Sequence, residues 1–158
     1  MIKYILCFLC FLSGYSFGSA LSLPVANIIC KEKLSNGYYK YEIHAVAKNI
    51  SKNDLILITN TTNSHNKFNG EFKEIVLDEG ESSINGVKII PTDYELGLVK
   101  IGPSEGGRIK GVTVSKELYS DVIITYHMPD LYEGRFKNWT GSVSSDITKT
   151  IIRDGCKP

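Results

Sequence analysis

Period-two alternation of apolar and polar residues dominates the chain. In "YKYEIHAVAK", Tyr41, Ile43, Ala45 and Ala47 fall on one phase, and Glu42, His44 and Lys48 on the other. Successive side chains of a strand point to opposite sides, so this pattern predicts a strand with one buried face. In "YSDVIITYHM", Val122, Ile124, Tyr126 and Met128 share one phase; Asp121, Thr125 and His127 share the other, with Ile123 as the exception. "WTGSVSSDITKTII" alternates through Trp139, Val143, Ile147 and Ile151.

Shorter apolar runs fill the intervals. "LILIT", "EFKEIVL", "VKII", "ELGLVKI" and "RIKGVTV" read as strands, and "PVANIICKEKL" as a first strand leading into Cys30. "NISKND", "DEGESSING" and "GPSEGG" carry the Gly, Pro, Asn, Asp and Ser of turns. "NTTNSHNKFNG" is polar throughout and predicts an exposed loop, and "SKELYSD" suits a single turn of helix. No window sustains a helical period. Short strands with turn signals roughly every 8–12 residues predict an all-β sandwich or barrel. A parallel α/β fold is disfavoured, because no segment supplies a crossover helix. There is no internal repeat, low-complexity run or linker.

The start of the chain reads differently. "MIKYILCFLCFLSGYSFGSA" places one cation, Lys3, before an apolar stretch over residues 4–17 and then small residues. This is the build of a secretory signal peptide, with Gly18 and Ala20 as the small residues of the cleavage site. Residues 1–20 are expected to be removed, leaving a single domain over residues 21–158. The apolar stretch is short for a membrane span, which needs about 20 residues. No second segment is long and apolar enough to span. The expected location is the periplasm or the extracellular space.

Cleavage changes both the thiol and the charge balance. Cys7 and Cys10 leave with the signal, and Cys30 and Cys156 remain. An even pair in an exported chain predicts a disulfide. Closing a loop of roughly 100 residues stabilises by about 4–5 kcal/mol in the chain-entropy model. Redox catalysis is disfavoured, since there is no C-x-x-C and nothing local to lower a thiol pKa. Loss of Lys3 leaves 17 basic residues against 17 acidic ones. That balance points to neither a nucleic acid nor an anionic membrane as partner.

Over residues 38–150, "YEIHAVAKNIS", "LILIT", "IGPSEGGRIKGVTV" and "LYSDVIITY" resemble bacterial immunoglobulin-like and fibronectin-like β-sandwich domains. The shared features are an Asn–x–Ser turn after an early strand, a Pro–x–Glu–Gly type turn before a later one, and a tyrosine near a corner. The resemblance concerns architecture. It implies an antiparallel immunoglobulin-like β-sandwich of about 7–9 strands. The cysteines depart from the antibody pattern, lying near the two ends and not on facing mid-domain strands.

Candidate chemistry is sparse. His44, His65 and His127 show no H-x-H or H-x-x-x-H spacing. A zinc site assembled across strands from His44 and His127 is conceivable, but solvent-facing histidines are the better reading. No G-x-S-x-G elbow is present. "GPSEGG" lacks the following helix that would hold phosphate, and "LDEGES" lacks calcium-ligand spacing. Asp121 and Glu133 are nominal carboxylates for glycoside hydrolysis, with nothing to mark them. The expectation is no catalytic residue, no metal and no cofactor.

"MPDLYEGRFKNW" is the most suggestive surface element. Tyr and Arg are common interface anchors, and Leu131, Tyr132 and Arg135 are the expected partner-binding residues. Phe136 and Trp139 are expected to fold back into the core. Asn49, Asn60 and Asn138 each open an Asn–x–Ser/Thr sequon, relevant only where a glycosylating pathway exists. The expected function is an exported, non-catalytic protein-binding module, such as an inhibitor or immunity-type protein. A pilus- or coat-like structural subunit is the alternative. A small hydrolase or carbohydrate-binding protein is the third.

Overall fold

The computed structural model describes residues 20–61, 63–68, 73–78, 82–84, 87–89, 96–130 and 137–157. The predicted signal peptide therefore lies outside the described residues, apart from Ala20. Twelve strands are described: β1 (Leu21–Lys33), β2 (Tyr39–Asn49), β3 (Leu55–Ile58), β4 (Asn63–Phe68), β5 (Lys73–Asp78), β6 (Ser82–Ile84), β7 (Val87–Ile89), β8 (Leu98–Ile101), β9 (Gly106–Ser115), β10 (Asp121–Met128), β11 (Gly141–Ser144) and β12 (Thr148–Ile152). The fold is all-β.

Seven strands form one sheet in the order β4-β5-β10-β12-β1-β2-β9, and β11 pairs with β10. β3 pairs with β8, and β6 with β7, in two small separate ladders. The large sheet is mixed: β1 runs parallel to β12, and β5 parallel to β10. It curls until its ends nearly meet. Lys110 of β9 donates its N–H to the Thr59 carbonyl at 3.0 Å and accepts the Thr61 N–H at 3.3 Å, just before β4 begins. The result is close to a closed barrel. The mixed sheet departs from the purely antiparallel pairing expected. Parallel neighbours need a long return path but not a helix. Here β6–β9 carry the chain from β5 back to β10, and most of the domain separates β1 from β12.

The interior follows the alternation. Tyr41, Ile43, Ala45 and Ala47 of β2 are buried, as are Val122, Ile124, Tyr126 and Met128 of β10. They meet Ile28 and Cys30 of β1, Ile75 and Leu77 of β5, and Leu57 and Ile58 of β3. The inner face of β9 carries small residues among larger ones. A Cβ on Gly111 would lie 2.6 Å from Leu77 Cδ2, and one on Gly107 would lie 2.9 Å from Leu57 Cδ1. Side chains of β5 and β3 fill these two notches, in keeping with the close packing of protein interiors.

Three local expectations are corrected. "NTTNSHNKFNG" contains strand β4, paired antiparallel to β5 from Asn63↔Asp78 to Phe68↔Lys73. Backbone pairing decides that segment, and its polar side chains gave no signal. "SKELYSD" forms no helix. The Tyr41 hydroxyl instead donates to the Glu117 carbonyl at 2.9 Å and accepts the Tyr119 N–H at 3.1 Å. "DEGESSING" contains β6 as well as turn residues. By contrast, "GPSEGG" is a turn as expected, with the Glu105 N–H donating to the Gly102 carbonyl at 3.1 Å.

β12 joins the two halves of the sheet through few pairs. Lys149 and Thr148 pair with Asp121 and Val122 of β10. Thr150, Ile151 and Ile152 pair with Ile28, Ile29 and Cys30 of β1. Ile147 and Ile151 are about half exposed, at 52% and 51%, so the alternation expected of the last stretch buries only its start. The disulfide fastens this splice. Cys30 and Cys156 are bonded, with their Cα atoms 6.1 Å apart, and both are fully buried. Asp154–Cys156 forms one 3-10 turn, and the Arg153 N–H donates to the Cys30 carbonyl at 3.3 Å.

Candidate functional site

The expected contact residues Leu131, Tyr132 and Arg135 lie outside the described residues, as do Glu133 and Phe136. Trp139, at the far end of that connection, does fold back. Its ring stacks on Tyr126 with centroids 5.7 Å apart, and its backbone N–H donates to the Ile56 carbonyl at 2.7 Å. Asp121 sits half-buried at the start of β10.

Two outward surfaces carry the remaining chemistry. The first is the outer face of β1, β2 and β9, where cross-strand register builds a grid. Val25, Val46 and Arg108 form one row; Asn27, His44 and Lys110 the next; Ile29, Glu42 and Val112 a third. Ile151 of β12 extends the third row beside Ile29, and Val114 lies opposite Lys40. Val112 is 53% exposed, and Val25 and Val114 are each 48% exposed. Recesses of about 410 and 380 Å³ share His44 and Lys110 in their walls.

Charge on this grid is unevenly paired. Lys31 meets Glu42 at 3.1 Å, and Lys40 meets Glu32 at 3.5 Å. His44 lies 3.7 Å from the same Glu42. The hydrogen bond from Lys31, helped by His44, holds the Glu42 carboxyl below its ordinary range. Arg108 and Lys110 form no ion pair among the described residues. The reading of "RIKGVTV" as a strand anticipated β9 but not this face. The available signal was two valines sharing a phase with two cations, while glycines occupy the other phase.

The second surface is the outer face of β5, β10 and β11. Thr125 lies opposite Ser144, and His127 opposite Ser142; on the other side Thr125 lies beside Val76. The Thr125 hydroxyl donates to Glu74 Oε1 at 2.5 Å and lies 2.8 Å from Ser144 Oγ. His127 Nδ1 lies 2.7 Å from Ser142 Oγ. With Asp78, these residues line a recess of about 380 Å³. Sequence reading placed Thr125 and His127 on the polar phase of β10. The neighbouring strands that complete the row are remote in sequence.

The two histidines weighed for zinc do not meet. His127 is on β10 and His44 on β2, with β12 and β1 between them in the sheet. No group of three or more His, Cys, Asp or Glu side chains is placed to hold a metal ion among the described residues. No described helix is long and apolar enough to cross a membrane.

Asn49 is fully buried. Its Nδ2 donates to the carbonyls of Asn53 at 2.8 Å and Ile101 at 3.3 Å, and its Oδ1 accepts from the N–H and hydroxyl of Ser51. Asn49 is a strut between β2, the "SKND" turn and β8, and no glycan fits there in the folded state. No family model, curated protein or solved structure matches this chain.

Proposed function

We propose that this chain is an exported, non-catalytic protein-binding module that meets its partner with the outer face of β1, β2 and β9. The observation that carries this reading is the set of exposed valines, Val25, Val112 and Val114, in one grid with the cations Arg108 and Lys110, which form no ion pair among the described residues. A sheet face turned to water is ordinarily polar. Apolar area left there is covered favourably when a partner docks. The two cations favour a partner whose matching surface is acidic, and they speed its encounter.

The buried disulfide and the signal-like start suit export. The immunoglobulin-like strand and turn pattern supports the same reading, because such frameworks present rigid faces and end loops to other proteins. Leu131, Tyr132 and Arg135, between β10 and β11, are retained as a second contact element. Small size and near-neutral charge fit an inhibitor or immunity-type protein. A strand-donating subunit fits less well: residues 21–29 belong to β1, paired with β2, and form no free arm.

The test is chemical cross-linking and affinity capture in the producing organism, with the native chain as bait. One stoichiometric partner is expected. It should be lost on Val112→Glu with Val114→Glu, and weakened by Tyr132→Ala with Arg135→Ala. Capture of the same partner at undiminished yield by the valine double variant would show that this face is not the interface.

A further inference from the structure

We propose that the outer face of β5, β10 and β11 is a second binding site, for a neutral, hydroxyl-rich ligand of the saccharide class. It is separate from the valine grid, which lies on β1, β2 and β9. Its recess is lined by the short side chains of Val76, Thr125, Ser142 and Ser144 and the longer ones of Glu74, Asp78 and His127. This depression exists because hydroxyl residues stand where an outward sheet face usually carries Lys, Arg or Glu. At about 380 Å³, it falls within the size range of small-ligand recesses.

The lining selects the ligand by exclusion and by fit. Among the described residues the lining holds two carboxylates and no Lys or Arg, which disfavours a phosphate, a sulfate or a nucleic acid. Val76 is the one aliphatic residue among the described lining residues, which leaves little to hold a lipid. Glu74, Asp78 and His127 form no group placed to hold a metal ion among the described residues, which disfavours a divalent cation. A neutral molecule offering many donors and acceptors suits these residues. Carboxylate oxygens accept from sugar hydroxyls, while Ser, Thr and His side chains both donate and accept.

The groups are also held in place before any ligand arrives. Thr125 ties Glu74 to Ser144, and Ser142 ties His127, through contacts of 2.5, 2.8 and 2.7 Å respectively. Such mutual bonds fix rotamers and lower the entropy lost on binding. Glu74 Oε2 and His127 Nε2 have no partner among the described residues and remain for the ligand.

The experiment is a binding screen of the full exported chain. Probes are an array of neutral oligosaccharides, free monosaccharides in solution, and heparin as a sulfated control. Binding to one or more neutral saccharides is expected. Glu74→Gln and the double variant His127→Ala with Ser142→Ala should each weaken it by about ten- to a hundredfold, the effect of losing one or two ligand hydrogen bonds. The array against the free sugars distinguishes a glycan chain from a small sugar. Val112→Glu with Val114→Glu should leave this binding unchanged, so loss of the protein partner and loss of the saccharide read out separately. Circular dichroism checks the variants; Ser142→Ala alone, on an exposed side chain, serves if Glu74→Gln unfolds. The proposal is overturned by no neutral saccharide binding at millimolar concentration, by preference for heparin, or by full affinity in folded variants.

Discussion

The Tyr126 hydroxyl donates to the Ile58 carbonyl at 2.7 Å and accepts the Ile58 N–H at 3.2 Å. One side chain on β10 thus satisfies both backbone groups of a residue on β3, 68 positions earlier. Because β3 is not part of the large sheet, no neighbouring strand of that sheet could do this. Tyr41 makes the same kind of bracket around Glu117 and Tyr119. Two buried phenols therefore hold irregular or separate backbone against the barrel.

Removing the Tyr126 oxygen leaves two buried backbone groups without their partner. Tyr126→Phe is expected to destabilise the fold by about 1–3 kcal/mol, the usual cost of buried unsatisfied groups. Equilibrium urea unfolding measures it. A change within error would mean that water replaces the hydroxyl.

The same phenol sets an alkaline limit. Burial pushes the Tyr126 hydroxyl well above its ordinary range, and burial also raises Tyr41. A raised folded-state pKa favours the neutral form in the native protein. That contribution is complete below the unfolded value of about 10 and is lost as pH rises above it. Unfolding and tyrosinate absorbance should therefore rise together above about pH 10. Tyr126→Phe should flatten the pH dependence of stability in that window. An equally steep fall in the variant would assign the effect to other groups.

The inner face of β9 makes a packing prediction. Gly111→Ala would bring a methyl to 2.6 Å from Leu77 Cδ2 and 3.0 Å from Thr61 Oγ1. Overpacking of this kind costs about 1–3 kcal/mol. Adding Leu77→Val should recover part of the loss, because the clash is with the end of that side chain. Strict additivity of the two changes would show that they do not share the notch.

The disulfide prediction is spatial as well as energetic. Replacing Cys30 and Cys156 by Ala is expected to lower stability by about 2–5 kcal/mol. Hydrogen exchange should rise first in β12 and in the turn at residues 154–156. β2 and β9, paired along ten residues, should keep their protection. Uniform loss across all strands would mean that the bond stabilises only through the unfolded chain.

How much of this was legible depended on where the deciding partner lay. The buried phases of β2 and β10 were written in Tyr41 to Ala47 and Val122 to Met128, because each strand meets the interior along its whole length. The Cys30–Cys156 bond was legible once Cys7 and Cys10 were set aside with the expected signal peptide. β4 was not, because its place depends on backbone pairing with β5 and its residues carry no apolar phase. The parallel pairings were not, because register between β5 and β10 arises only when distant segments meet. The Glu74–Thr125–Ser144 contact is hidden for the same reason: its members come from three strands. "RIKGVTV" read as a strand with no face assigned to Val112 and Val114, because the Leu77 and Leu57 side chains that fill the notches at Gly111 and Gly107 come from remote strands.

β12 has a kinetic consequence. The bond that secures it spans 126 positions, and the edge of β1 beyond β2 stays incomplete until that twelfth strand arrives. Closing so distant a pair requires a large loss of chain entropy before its contacts form, which slows folding in proteins dominated by non-local strand pairing. The first strand of the domain is thus among the last to be finished. During synthesis the chain offers an unpaired strand edge for longer than its size alone would suggest. A helper that shields β1 until β12 docks would act on that late step, and oxidation of Cys30 with Cys156 would then make it hard to reverse.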